Sequence, residues 1–80
     1  MYLEIITPEK KVYEGEIKLV KLPGSAGSFE ILENHAPIVS TLDTGELKIV
    51  DTNDETTIYQ IKGGVVEARQ NKVVVLAESV

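Results

Sequence analysis

The feature that most restricts the fold of this chain is the spacing of its apolar residues, which recur at every second position along most of its length. Leu3 and Ile5 fall on one face of the first such segment, and Leu47 and Ile49 on one face of a later one. Successive side chains of a β-strand point to opposite faces, so this period indicates strands. Apolar residues never recur at helical spacing over the roughly ten residues that a helix needs. We therefore predict an all-β fold.

Turn-forming residues interrupt the pattern about every ten residues, as expected for an antiparallel β-sandwich or barrel of short strands. Asp43-Thr44-Gly45 is predicted as a turn, Gly63-Gly64 as a corner between strands, and Gln70-Asn71 as a two-residue hairpin turn. A slip in the alternation predicts a β-bulge near Leu19. The predicted strands are 2–7, 10–15, 16–22, 28–32, 38–42, 46–50, 57–61, 65–69 and 72–78. No linker or repeat divides them, so we expect one domain over residues 1–80.

The segment Leu22–Pro37 combines two turn clusters, a short strand and the only histidine of the chain. Pro23 fixes φ and lacks an N–H, while Gly24 and Gly27 accept backbone conformations that other residues avoid. A strand that enters this segment must leave its straight path at Pro23. We expect a loop held in one shape by the scaffold, and such loops often carry function.

Composition excludes several classes of function. The net charge is −5, which argues against a nucleic-acid-binding surface, because such surfaces need clustered Lys and Arg. The chain has no cysteine and one histidine, so neither disulfides nor a Cys/His metal cluster is expected, and no cofactor is predicted. No apolar run approaches the roughly 20 residues of a membrane span. An 80-residue domain without disulfides depends on packing for its stability.

The last predicted strand is apolar on both faces, through Val73-Val74-Val75-Leu76-Ala77. An antiparallel sandwich normally buries one face of a strand and exposes the other to water. The outer face of this strand is therefore covered either by loops of the same chain or by another protein, and the residues alone favour neither.

Catalytic interpretations are weak. His35 and Glu33 suggest an acid–base pair only by their proximity in the chain, and no nucleophile is placed by a motif, so a small hydrolase using His35 is a distant alternative. Gly24-Ser25-Ala26-Gly27 lacks the Gly-Lys-Ser/Thr ending of a phosphate-binding loop. A glycine-rich turn explains it more simply. From the residues alone, the chain is a small all-β adaptor with an interface.

The ordered set of motifs resembles the N-terminal β-sandwich domain of the ε subunit of bacterial F-type ATP synthase, over essentially the whole chain. No single motif is specific, but Pro-Gly-x-x-Gly followed by His-Ala-Pro and then Gly-Gly-x-x-Glu is specific in combination. The matching residues are Leu22-Pro23-Gly24, Gly27, Phe29, Ile31-Leu32, His35-Ala36-Pro37, Gly45–Ile49, Tyr59, Gly63–Glu67 and Val73–Ala77.

This resemblance implies a sandwich of about ten short strands in a non-catalytic subunit of the central stalk. Such a subunit turns with the γ subunit and the membrane c-ring, and helps to couple proton translocation to ATP synthesis. It would be a peripheral membrane protein on the cytoplasmic side of the bacterial inner membrane, with no transmembrane segment of its own. The alternative is a generic β-sandwich adaptor of another protein complex.

The resemblance also assigns two sets of contact residues. The loop Ser25, Ala26, Gly27 and Ser28 lines up with the family's c-ring contact. Many members carry a carboxylate where this chain has Ser28, so we expect that contact either to be weaker here or to be taken over by Glu30. The resemblance places Thr7, His35 and Ser40 at the γ interface. Because Val73–Leu76 is apolar on both faces, we add Val73 and Val75 of this strand to the predicted γ contact. The helical hairpin with which most members continue is missing from these 80 residues, so we expect either a short form without hairpin-based inhibition or a piece of a longer chain.

Overall fold

The structure of the chain is a computed structural model that describes residues 1–80, and it contains six β-strands and no helix. The all-β prediction is confirmed. The strands are β1 (Tyr2–Ile6), β2 (Lys11–Gly24), β3 (Gly27–Leu32), β4 (Ile38–Asp51), β5 (Thr56–Arg69) and β6 (Lys72–Ala77).

The strands form one sheet in the order β1-β6-β5-β4-β2-β3, and β1 also pairs with β2, so the sheet closes on itself. Five of the six pairings are antiparallel, but β1 and β6 run parallel. The prediction of a purely antiparallel sheet is corrected at this pair. No local motif indicates it, because β1 and β6 lie at opposite ends of the chain.

The pairing registers divide the sheet into two layers, because the three strands of 14 residues each pass from one layer to the other. Counting β2, β4 and β5 once in each layer, the six strands supply 6 + 3 = 9 strand segments. This count explains why about ten short strands were expected. The first layer holds β1, β6 and residues 11–16, 38–42 and 64–69, and the second layer holds β3 and residues 19–24, 44–51 and 56–62.

Two glycines bend β5 where it changes layer. Gly63 and Gly64 have φ angles of 105° and 151°, and a Cβ added at Gly64 would lie 2.2 Å from the carbonyl oxygen of Leu76. Only glycine allows β6 to approach this closely. The predicted corner is therefore a bend inside a continuous strand, and Asp43-Thr44-Gly45 likewise lies inside β4.

The predicted bulge is confirmed by a shift in the β2–β4 register between Ile17 and Leu19. Because of this shift, Ile17 and Val20 both point inward, together with Leu22. The predicted hairpin turn at Gln70-Asn71 is confirmed too, since both residues have positive φ, as a type I′ turn requires.

The core lies between the two layers and contains only apolar side chains. Its 16 buried residues come from all six strands and from Met1. With no disulfide, this single cluster stabilises the fold. The members are Met1, Leu3, Ile5, Ile17, Val20, Leu22, Ile31, Leu42, Leu47, Ile49, Ile61, Val66, Ala68, Val73, Val75 and Ala77.

Candidate functional site

The outer face of the first layer carries a row of apolar side chains across three strands. Ile6 on β1 is the register partner of Leu76 on β6, which is opposite Val65 on β5. Leu76 is 53% exposed and Val65 is 40% exposed. In the next row, Val74 and Val39 lie on either side of Glu67. An apolar patch of this kind on a small domain is typical of a protein interface, and we call it the apolar face.

A groove of about 450 Å³ runs along one side of the apolar face. Thr7 and Pro8 form one wall, where the chain leaves β1, and the close approach of Gly64 to β6 forms the floor. No loop covers Leu76, so the interpretation in which this chain covers its own last strand is wrong. The lining residues are Ile6, Thr7, Pro8, Gly64, Val65, Leu76, Ala77 and Glu78.

Val73 and Val75, assigned from the sequence to the γ interface, are fully buried in the core. Val75 lies in a buried row with Ile5 and Val66, and Val73 lies in a second buried row with Leu3 and Ala68. A partner cannot reach them while the domain is folded, so this assignment is corrected. The outward-facing apolar residues of the same strand are Val74 and Leu76.

The other three residues assigned to γ occupy different positions. Thr7 lines the groove, and its hydroxyl accepts a bond from the Lys10 amide at 3.3 Å. Ser40 is the register partner of Val66, so it points to the core side of β4 rather than to the apolar face. His35 lies in the connection between β3 and β4, where its Nδ1 is 2.8 Å from the carbonyl oxygen of Ala36. Only Thr7 directly borders the apolar face.

Charged side chains flank the apolar face on β1. Glu4 receives the ammonium groups of Lys11 at 2.9 Å and of Lys72 at 3.2 Å. Lys11 first, and then Lys72, holds the pKa of the Glu4 carboxyl below its ordinary value, and Glu4 in turn raises the pKa of Lys11. The Tyr2 hydroxyl donates to Glu14, which raises the pKa of Tyr2 and lowers that of Glu14. The apolar face thus has a polar rim, as protein interfaces do.

The residues assigned to the c-ring form a second, contiguous exposed surface at the tip of the β2–β3 hairpin. Ser25 and Ala26 make the turn, and Gly27 has a φ of 128°, which favours glycine. Ser28 and Glu30 follow on the exposed side of β3. The structure therefore brings all five assigned residues together, and we call residues 25–28 the tip loop.

Other chemical interpretations receive no geometric support. Glu33 pairs with the amine of Met1 at 3.1 Å, while His35 contacts the carbonyl of Ala36, so the two side chains have different partners. No group of three or more His, Cys, Asp or Glu is arranged to bind a metal ion. The structure contains no helix that is long enough and apolar enough to cross a membrane.

Sequence reasoning missed Ile6, Val65 and Val39 as interface candidates. The available signal was a pair of adjacent apolar residues within a strand, as in Ile5-Ile6 and Val65-Val66. Because neighbouring side chains point to opposite faces, such a pair places one apolar residue inside and one outside. These pairs align across the first layer and produce the apolar face.

Comparisons with known proteins agree with this architecture. Residues 1–80 match the family described as the β-sandwich domain of the ATP synthase delta/epsilon chain. The chain is 40% identical over 78 residues to the ATP synthase epsilon chain of Campylobacter curvus, covering 98% of this chain and 60% of that protein. It is 37% identical over 78 residues to the epsilon chain of Chlorobaculum tepidum, covering 98% of this chain and 89% of that protein.

Solved structures show the same fold at lower sequence identity. A chain in the cryo-EM structure of the Euglena gracilis mitochondrial ATP synthase (OSCP/F1/c-ring) superposes with a TM-score of 0.90 at 18% identity, covering 96% of this chain and 49% of that one. A chain in the central stalk and c-ring structure of the Tetrahymena thermophila enzyme gives a TM-score of 0.80 at 18% identity, covering 96% and 62%. The chain thus spans about half to nine-tenths of the proteins that it resembles.

Proposed function

This chain belongs to the ATP synthase delta/epsilon family with a β-sandwich domain, and we propose that it is a central-stalk subunit of an F-type ATP synthase. In this role it binds γ and the c-ring, turns with them, and helps to couple proton translocation to ATP synthesis. It catalyses no reaction itself. It is held at the cytoplasmic side of the bacterial inner membrane through its partners.

The observation that carries the γ contact is the exposed row Ile6–Leu76–Val65. Leaving a side chain the size of leucine in water forgoes roughly 1.5–3 kcal/mol of transfer free energy, so this row favours a stable partner. The core between the layers stays intact when such a partner binds, because only the outward-facing side chains of the first layer are covered. Thr7 borders the same contact. We assign Val74 and Leu76 to the γ contact instead of Val73 and Val75.

The c-ring contact is assigned to the tip loop and Glu30. These residues are exposed, polar or small, and lie together at the end of one hairpin. Glu30 is the carboxylate nearest in sequence to the tip loop, so it supplies the negative charge that Ser28 lacks. An exposed ion pair there contributes about 0.2–1 kcal/mol and weakens with salt. Such a pair orients the contact more than it stabilises it.

Co-purification tests the proposal. The 80-residue chain is expressed with the γ subunit of its own organism, and separately mixed with the detergent-solubilised c-ring. We expect a stoichiometric complex with γ that survives gel filtration, and a weaker, salt-sensitive association with the ring. A chain that elutes alone in both experiments would contradict the proposed function. No observation favours an adaptor of another complex.

A further inference from the structure

A chain of hydrogen bonds joins the tip loop to strand β4. The amide of Ser25 donates to the carbonyl of Thr41 at 3.0 Å. The hydroxyl of Thr41 donates to the hydroxyl of Ser25 at 2.8 Å, and that hydroxyl donates onward to the carboxylate of Asp43 at 3.1 Å. Each donor thus has an acceptor, and the last acceptor is a side-chain oxygen of Asp43.

The link is notable because β3 has a neighbour on one side only. It pairs with β2 and with no other strand, so the β2–β3 hairpin is an edge of the sheet. At its tip, Gly24 pairs with both Gly27 and Leu42. The next residue is Ser25, which makes the hydrogen bonds to β4. Without the side chains of Thr41 and Asp43, the turn at Ser25-Ala26 keeps only backbone bonds to β4.

Asp43 lies where β4 changes layer. Its neighbours Leu42 and Thr44 pair with Gly64 and Lys62, on either side of the bend in β5. From this point β4 runs back through Thr41 to Val39 on the apolar face. The hydrogen-bond chain therefore connects the two surfaces described above through a few residues of one strand.

We propose that Thr41 and Asp43 are positioning residues that hold the tip loop in the shape that meets the c-ring. This inference rests on the proposed function. It assigns a role to two residues that are in neither of the contact sets. The oxygen of Asp43 acts as an acceptor here, so its charge is secondary to its position.

The experiment compares matched variants of the full chain. Asp43→Ala removes the acceptor, whereas Asp43→Asn keeps an oxygen in the same place. Thr41→Val removes the donor with little change in shape, whereas Thr41→Ser keeps it. Glu46→Ala, an exposed carboxylate on the same strand without a hydrogen-bond or ion-pair partner, is the control. Two quantities are measured: exchange of the Ser25 amide by NMR, and affinity for the solubilised c-ring.

We expect Asp43→Ala and Thr41→Val to speed exchange of the Ser25 amide by about three- to five-fold, and to weaken ring binding by a similar factor. Asp43→Asn, Thr41→Ser and Glu46→Ala should match the unmodified chain in both quantities. Unchanged exchange in Asp43→Ala would overturn the positioning role. Equal loss of ring binding in Asp43→Ala and Asp43→Asn would overturn it too, because the charge would then act directly.

The experiment distinguishes a wrong ring contact from a wrong positioning role. If the unmodified chain does not bind the ring at all, the assigned ring contact is wrong. The exchange data then still decide whether Thr41 and Asp43 order the tip loop. If the unmodified chain binds and the variants bind equally well, only the further inference is wrong.

Discussion

Leu76 on β6 lies directly opposite Val65 on β5, and both side chains point away from the core. The residues next to them, Val75 and Val66, form the inward-facing counterpart with no exposed area. Two adjacent strands therefore supply apolar side chains to both sides of one layer. This arrangement is the basis of the proposed γ contact, and it separates residues that stabilise the fold from residues available to a partner.

Aspartate at positions 75 and 76 should have opposite consequences. Val75→Asp buries a charge without a partner, so we expect a loss of at least about 3 kcal/mol in the free energy of unfolding, enough to unfold much of the chain. Leu76→Asp exposes its carboxylate to water and should change that free energy by less than about 1 kcal/mol. Urea titration followed by circular dichroism measures both. Similar losses of unfolding free energy in the two variants would show that Val75 does not point inward and Leu76 outward.

Gly64 should tolerate no side chain. In Gly64→Ala the new Cβ meets the carbonyl of Leu76, and φ is strained as well, so we expect a loss of about 2–3 kcal/mol. Gly15→Ala is the control, because its Cβ would have no neighbour closer than 3.7 Å. That substitution should be neutral or stabilising by up to about 1 kcal/mol. A stable Gly64→Ala domain would mean that β5 and β6 are farther apart here.

Acid should weaken the domain partly through Glu4. Ion pairing with Lys11 and Lys72 lowers the pKa of Glu4 in the folded chain below its ordinary value of 4.5. The ionised carboxylate therefore stabilises the fold at pH values above 4.5, and this stabilisation is lost as the pH falls through the lower pKa of the folded chain. In Glu4→Gln the urea midpoint should therefore fall less steeply between about pH 5 and about pH 3. Glu9→Gln, at an exposed carboxylate without an ion pair, is the control. An unchanged slope in Glu4→Gln would contradict this reading.

The β5–β6 turn can be improved. Gln70 and Asn71 both adopt positive φ, the conformation in which Asn-Gly is strongly preferred. Replacing the pair by Gln70→Asn with Asn71→Gly should stabilise the domain by about 0.5–1 kcal/mol, measured as the free energy of unfolding in urea. The bond from the Tyr2 amide to the Asn71 carbonyl should persist, since it involves only the backbone. Destabilisation would indicate a turn of another type.

Much of the fold could be predicted because its determinants are local. The alternation that places Leu3 and Ile5 inward is written in the sequence, and so is the slip that produces the bulge near Leu19. The turn at Gln70-Asn71 needs only two residues. Each of these features depends on the conformation of a few neighbours, so a single sequence contains the necessary information.

Other features depend on pairing between distant segments. Gly63-Gly64 signals a change of backbone direction, but whether the strand ends there or bends into the other layer is decided by β4 and β6. The facing of β6 is a similar case. Because Val73 to Leu76 are all apolar, the sequence pattern does not show which of them face the core. The register with β1 and β5 decides it. The wrong assignment of Val73 and Val75 to the γ interface follows from this ambiguity.

The central claim is that the apolar face of the first layer binds γ, and one titration tests it. Calorimetry with purified γ compares Leu76→Asp with Ile58→Asp, since Leu76 and Ile58 are 53% and 52% exposed but lie on opposite layers. We expect at least about a ten-fold loss of affinity for Leu76→Asp and no change for Ile58→Asp, with both variants folded. Equal affinities, or a loss confined to Ile58→Asp, would contradict it.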